Sequence, residues 1–137
     1  MVTRELVVDT SVAFKWCVAY GEGGIDEAAS LLAKHRIGQI ELIAPATILV
    51  EIANTLRYLL PADDALSLMD GFRNTHVRLF NVTHDLVRRA TLRAAETGMG
   101  VYDALFLALA EERGCPLVTA DRKAFEGIDS SVDITLL

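Results

Sequence analysis

The sequence predicts an α/β fold, a three-layer α/β/α sandwich with a central, mainly parallel sheet of about five strands. Short apolar runs rich in β-branched residues alternate along the chain with longer segments of helical periodicity. The apolar runs are nearly continuous, as expected for strands that helices cover on both faces. With 137 residues the chain has the size of one domain, which we place over residues 1–137.

Short apolar runs beside turn residues predict the strands, and apolar residues at spacings of three and four predict the helices. The predicted strands are 5–8, 40–43, 78–82, 116–119 and 133–137. The predicted helices are 25–36, 47–60, 62–72, 84–97 and 102–113. Gly38, Pro61 and Gly114 stand where three of these helices are expected to end.

Composition and charge restrict the function classes. The hydrophobic fraction of 52% and the mean hydropathy of +0.33 are high for so small a domain, so we expect a partner chain to cover part of its surface. An apolar-rich core is the alternative explanation. The net charge of -6 argues against a general polyanion binder, because nucleic-acid affinity rests on neutralised phosphates. Phosphate chemistry here therefore needs local basic groups or bound cations.

We expect neither a membrane-spanning segment nor an export signal in this chain. No run of about 18 uncharged apolar residues occurs, and Arg4 and Glu5 stand where a signal peptide would have a basic stretch before an apolar one. Cys17 and Cys115 lack the spacing of a zinc motif and form no recognisable set with the histidines. We expect a cytoplasmic protein with reduced cysteines and no membrane partner.

Four carboxylates stand where folding alone does not require them. Asp9 and Asp121 each follow a predicted strand directly, and the carboxyl ends of parallel strands meet at one edge of the sheet. Glu51 lies on or beside the apolar stripe of its helix, and Asp103 lies in the first turn of another. We expect all four to face one crevice.

Each carboxylate also has a purely structural explanation. Asp9, Asp121 and Asp103 suit helix caps or turns, which favour short acidic side chains. Glu51 would be satisfied by an ion pair with Arg57 or Lys15.

Converging carboxylates repel one another unless a divalent cation neutralises them. Oxygen ligands without His or Cys select hard ions, so the expected cofactor is Mg²⁺ or Mn²⁺. Such a site suits phosphodiester hydrolysis, because the ion activates water and stabilises the leaving oxygen. Thr10, Ser11 and Thr119 are expected to support the carboxylates through their hydroxyls.

Together, four blocks resemble the PIN-domain ribonucleases in order and approximate spacing, over essentially the whole chain. The blocks are DTSVAFKW at 9–16, EIANT at 51–55, YDALFLALA at 102–110 and LVTAD at 117–121. The first block is most similar to VapC-type toxins of prokaryotic toxin-antitoxin pairs. Residues 17–24 depart from related toxins, which often carry an acidic, proline-containing stretch there.

The resemblance implies a Mg²⁺- or Mn²⁺-dependent endoribonuclease that acts as the toxin of such a pair. Asp9 and Asp103 take the places of the family's usual direct metal ligands, and Glu51 and Asp121 those of the two acids that assist, often through water. The resemblance also implies a homodimer and a cognate antitoxin whose C-terminal segment blocks the cleft. The alternative function is a catalytically inactive PIN-like module that binds RNA or a partner protein.

The basic residues nearest these acids are the candidate RNA contacts. They are Lys15, Arg122 and Lys123. Arg88, Arg89 and Arg93 are expected on the solvated outer face of their helix. Trp16 is expected to pack against the protein and not to stack on a base.

Overall fold

The computed structural model describes residues 3–18 and 23–137, so the expectations for residues 1–2, and for 19–22 within the divergent 17–24 segment, lie outside it. In chain order the elements are β1 (Arg4–Val8), α1 (Thr10–Cys17), α2 (Ile25–Arg36), β2 (Ile40–Pro45), α3 (Ile48–Leu59), α4 (Ala62–Arg73), β3 (Arg78–Phe80), α5 (His84–Thr97), α6 (Val101–Arg113), β4 (Leu117–Thr119), α7 (Arg122–Phe125) and β5 (Ile134–Leu136).

The five strands form one sheet in the order β3-β2-β1-β4-β5, and every neighbouring pair is parallel. Helix α6, joined by α5, packs against β1, β2 and β4, while α1 and α2 belong to a second group of helices that also contacts the sheet. The predicted α/β fold class is confirmed. Because β1 lies at the centre, the residue that follows it emerges in the middle of the sheet edge.

The core is built around β1 and α6. Val7 and Val8 of β1 are fully buried, and every residue from Ala104 to Ala110 is buried. A helix that is apolar on all sides must be enclosed, and α6 is enclosed by the sheet and α5. The first turn of α6 is thereby held firmly at the edge where β1 ends.

Two helices were not predicted, α1 and α7. Helix α1 has eight residues and α7 has four, so neither is long enough to display a helical repeat. The two helices follow β1 and β4 directly, with Asp9 and Asp121 as their N-caps. The remaining predicted helices agree with the structure to within one or two residues, as expected for helix ends.

His35 joins three parts of the fold. Its Nδ1 atom accepts a hydrogen bond from the backbone N–H of Leu42, at 3.1 Å, so Nδ1 carries no proton. Its Nε2 atom therefore donates to the carbonyl oxygen of Thr75, at 2.9 Å. A neutral imidazole thus connects α2, β2 and the segment that precedes β3.

Trp16 packs inside the fold, as predicted. Its Nε1 atom donates to the carbonyl oxygen of Ala28 at 2.7 Å, and its ring lies 6.5 Å from that of Phe72.

The expectation of a solvated surface is wrong for Arg93. Its side chain is only 19% exposed, and it donates to Glu111 at 3.0 Å and to the carbonyl oxygen of Asp129 at 2.6 Å.

The structure also shows the state of the cysteines and the lengths of the helices. Both cysteines are free thiols. In the described ranges no helix has the length and apolar character needed to cross a bilayer.

Candidate functional site

Asp9 is the buried centre of the crevice at the carboxyl edge of the sheet. Its residue is only 3% exposed. One of its oxygens, Oδ2, accepts hydrogen bonds from the Ser11 hydroxyl at 2.6 Å, the Thr119 hydroxyl at 3.0 Å and the Ser11 backbone N–H at 3.3 Å. Burial raises the pKa of Asp9, these hydrogen bonds lower it, and the charge of Asp121 raises it further, with a net upward shift.

Ser11 and Thr119 connect the segments that follow β1 and β4. Their hydroxyl oxygens lie 3.2 Å apart. Ser11 Oγ accepts from the backbone N–H of Ala120 at 2.8 Å, and Thr119 Oγ1 accepts from that of Asp121 at 3.0 Å. The same two hydroxyls that hold Asp9 thus also fix the backbone that carries Asp121.

Glu51 lies in the first turn of α3 and is half-buried. Its carboxylate accepts a hydrogen bond from the Thr10 hydroxyl, across the gap between α1 and α3. Burial raises its pKa to about 7, the Thr10 hydrogen bond opposes that shift, and the charges of Asp9 and Asp103 add to it. Its charged surroundings are thus acidic, while Arg57, one of its expected partners, lies over the ring of Tyr58.

Asp103 lies in the first turn of α6 but does not cap it, because the N-cap residue is Gly100. The cap explanation is therefore wrong for Asp103. It is half-buried, and burial raises its pKa to about 6, with further contributions from the charges of Asp9 and Asp121. A carboxylate near a helix N-terminus normally gains stability in its charged form, so burial and the neighbouring acids together outweigh the effect of the helix end on Asp103.

Asp121 both caps a helix and belongs to the acidic crevice. Its Oδ1 accepts from the backbone N–H of Ala124 at 3.1 Å, so it caps α7, and its charge also raises the pKa of Asp9 and Asp103. Asp9 likewise caps α1. For these two residues the cap and the crevice are compatible, because the cap hydrogen bond occupies one carboxylate oxygen and leaves the other.

The four carboxylates share one acidic crevice without forming a preassembled ligand cage. Across residues 3–18 and 23–137, no three Asp, Glu, His or Cys side chains are grouped closely enough to hold a metal ion as they stand. The donor chemistry nevertheless fits a hard divalent cation, since all four groups are carboxylates and their mutual repulsion would be relieved by positive charge. Oδ1 of Asp9 accepts no hydrogen bond from the described residues and remains available as a ligand.

Two cavities flank this crevice and share Asp121. One, of about 370 Å³, is lined by Asp103, Asp121, Met99 and Lys123, among others. The other, of about 510 Å³, is lined by Thr10, Ser11, Phe14, Lys15, Thr55, Ala120 and Asp121. Binding space thus exists on both sides of the carboxylates.

A larger cavity, of about 980 Å³, opens beside the amino end of β1 and not at this crevice. Two of the arginines that line it are already paired, since Arg113 donates to Glu5 at 2.7 Å and Arg78 to Glu41 at 3.2 Å. The smaller, acidic crevice is therefore the candidate functional site, because Asp9, Glu51 and Asp103 carry raised pKa values there.

The PIN domain family model matches residues 6–130, which is more than half of the chain. The chain belongs to the PIN domain family. Among curated proteins none matches it significantly.

Solved structures similar to this PIN domain come from bacterial toxin-antitoxin systems. VapBC2 from Rickettsia felis, bound to a DNA fragment from its promoter, has a TM-score of 0.74 at 15% identity, covering 97% of this chain and 98% of that one. DNA-bound VapBC from Salmonella typhimurium has a TM-score of 0.71 at 18% identity, covering 96% of this chain and 97% of that one. VapC20 from Mycobacterium tuberculosis, a toxin that cleaves the sarcin-ricin loop, has a TM-score of 0.65 at 24% identity, covering 89% of this chain and 90% of that one. At these identities the similarity shows the shared fold.

The candidate RNA contacts of this PIN domain occupy different positions. Lys15 is 8% exposed and lines the 510 Å³ cavity, and Lys123 lines the 370 Å³ cavity. Arg122 has a side chain that is 58% exposed, with Nη1 3.9 Å from Glu126.

Sequence reasoning missed two residues that line the 510 Å³ cavity beside the crevice, Phe14 and Thr55. Phe14 stands four residues after Thr10, and Thr55 stands four after Glu51. Residues four apart lie on the same face of a helix, so Phe14 shares a face with Thr10, and Thr55 shares one with Glu51. This spacing could have identified both residues from the sequence.

Proposed function

We propose that this PIN domain is a Mg²⁺- or Mn²⁺-dependent endoribonuclease that hydrolyses RNA phosphodiester bonds. The observation that supports this most is the meeting of Asp9, Glu51, Asp103 and Asp121 in one crevice, where burial and acidic neighbours raise the pKa values of the first three. A fold gains nothing from such repulsion, so the arrangement is best explained by a cation that binds there.

Asp9 and Asp103 would hold the cation directly, and Glu51 and Asp121 would assist them. The chemistry that a bound divalent cation supplies is activation of water and stabilisation of charge on the leaving oxygen. The hydroxyls of Ser11 and Thr119 hold Asp9 through Oδ2, which would leave Oδ1 to bind the cation. Thr10 orients Glu51 in the same way.

We further propose that the protein is the toxin of a toxin-antitoxin pair, acts in the cytoplasm and forms a homodimer. The VapBC complexes with the same fold support a cognate antitoxin as partner. Large exposed apolar side chains on α3 support a contact with another protein chain, because isolated soluble domains rarely group such residues. They are Val50, Tyr58 and Leu59.

Cleavage of RNA by the purified chain tests the catalytic proposal. We expect cleavage with Mg²⁺ or Mn²⁺, none after chelation with EDTA, and a loss of at least about 100-fold in Asp9→Asn and Asp103→Asn. Asp64→Asn is the matched control, because Asp64 also lies in the first turn of a helix but is exposed. Undiminished cleavage by both crevice variants, with unchanged thermal unfolding, would contradict the proposal.

An inactive PIN-like module is the second candidate, and one observation favours it: the described carboxylates do not form a ready-made metal cage. Calorimetric titration with Mn²⁺ separates the two. A catalytic site should bind Mn²⁺ in the parent and bind it at least about tenfold more weakly in Asp103→Asn. An inactive module should show no such difference.

A further inference from the structure

The cavity of about 510 Å³ borders Thr10, the donor of the Thr10–Glu51 hydrogen bond, and extends one helical turn beyond it. Phe14 follows Thr10 by four residues on α1, and Thr55 follows Glu51 by four on α3. Four residues advance a helix by about 6 Å, so Phe14 and Thr55 line a space directly beside the carboxylates. Asp121 lines the same space and connects it to the crevice.

The lining of this cavity matches the parts of a nucleotide. Phe14 offers an aromatic surface, on which bases stack without regard to their identity. Thr55 Oγ1 donates to the carbonyl oxygen of Glu51 at 3.1 Å, which leaves its lone pairs to accept from a ribose 2′-hydroxyl. The volume lies within the range of small-ligand sites.

Phe14 is not required to fill the core in the way its neighbours are. Val12 and Ala13 are fully buried and form the packing face of α1, whereas Phe14 is only partly buried. The nearby indole of Trp16 is already engaged by Ala28 and Phe72. Phe14 is therefore the aromatic residue of α1 that lines this cavity and has surface left for a ligand in it.

We propose that this cavity binds the nucleotide next to the phosphodiester that is cleaved, with its base stacked on Phe14 and its ribose facing Thr55. This assignment rests on the proposed ribonuclease function and adds a substrate-binding residue to it. Phe14 contributes to binding of the substrate and its transition state alike, so its loss raises KM and leaves kcat unchanged.

Phe14→Leu tests the assignment, because leucine keeps the apolar packing and removes the ring. With a short single-stranded RNA we expect KM to rise about 5-fold to 100-fold and kcat to stay within about twofold, while Phe14→Tyr retains the parent KM. The matched control is Tyr58→Leu, which removes a ring that is 74% exposed elsewhere on α3. An unchanged KM in Phe14→Leu, or a loss confined to kcat, overturns the assignment.

Substrates with a single abasic nucleotide give a second test that needs no variant. The parent protein should show a raised KM when the abasic position is adjacent to the cleaved bond, and little change when it is distant. A uniform response at all positions overturns the assignment, even if Phe14→Leu fails to fold. If the parent cleaves no RNA, the ribonuclease proposal has failed. Fluorescence anisotropy with the same series then decides whether the cavity binds a base.

Discussion

Replacing Glu51 by glutamine should stabilise the protein at alkaline pH in the absence of metal. The structure raises the pKa of Glu51 from 4.5 to about 7, by burial and by the charges of Asp9 and Asp103. A tenfold change in acid strength corresponds to about 1.4 kcal/mol, so the full shift corresponds to about 3 kcal/mol. Glu51 is only half-buried, and water screens part of this energy, so we expect Glu51→Gln to gain about 1–2 kcal/mol at pH 8.

The pH dependence has a definite direction. The folded state holds the Glu51 proton more tightly than the unfolded state, so the contribution to stability is fully present below pH 4.5 and is lost as the pH rises to about 7. Asp103 acts in the same direction between pH 3.8 and about 6. The metal-free parent should therefore lose stability from pH 5 to pH 8, and Glu51→Gln should lose less.

Urea unfolding in EDTA at pH 5 and pH 8 measures this difference. Glu27→Gln is the control, because Glu27 lies in the first turn of α2 but is exposed, and we expect it to change stability by less than about 0.5 kcal/mol. Added Mg²⁺ should stabilise the parent at pH 8 more than it stabilises Glu51→Gln. A variant no more stable than the parent at pH 8 would refute the account of crowded carboxylates.

Two further predictions concern hydrogen bonds that hold the fold and the site. His35→Ala should lower the free energy of unfolding by about 2–3 kcal/mol, because it leaves a backbone donor and a backbone acceptor without their partner; urea unfolding measures this. Ser11→Ala should weaken Mn²⁺ binding by about 10-fold to 100-fold, because Asp9 loses the 2.6 Å hydrogen bond that orients it; calorimetry measures this.

Each of these predictions has a clear contrary result. A His35→Ala protein as stable as the parent would mean that water replaces both hydrogen bonds at no cost. Ser11→Thr keeps the hydroxyl and should bind Mn²⁺ more tightly than Ser11→Ala. Equal Mn²⁺ affinity in Ser11→Ala and the parent would mean that Thr119 alone suffices to orient Asp9.

The sequence correctly predicts the elements that have a clear hydrophobic repeat, but it does not predict the two short helices. The continuous apolar strands and the longer helices are visible in neighbouring residues alone, and the structure agrees with them. Helices α1 and α7 are too short for a repeat and depend on Asp9 and Asp121 as caps. Arg93 looked like a surface residue because its position on α5 does not reveal that Glu111 of α6 lies opposite.

For the candidate site, the sequence supplied the residue types and the structure decided how they are used. Sequence alone left open whether Asp9 and Asp121 were caps or members of an acidic crevice. In the structure, Asp9 and Asp121 each cap a helix and also belong to the acidic crevice, because a carboxylate has two oxygens and a cap hydrogen bond needs only one. For Glu51, where the sequence left an ion pair with Arg57 or Lys15 as the alternative, the structure gives the Thr10 hydroxyl as a hydrogen-bond partner.

By itself, the sequence determined the α/β class, the family resemblance and the identity of the four acids, since these depend on local patterns and motif order. Only the tertiary structure decided which side chains meet. The strand order β3-β2-β1-β4-β5 places β1 beside β4, so that Asp9 contacts Thr119 across 110 residues of chain. The same packing sets Phe14 and Thr55 around one cavity. Contacts between distant segments follow from how helices and strands pack, which no local repeat encodes.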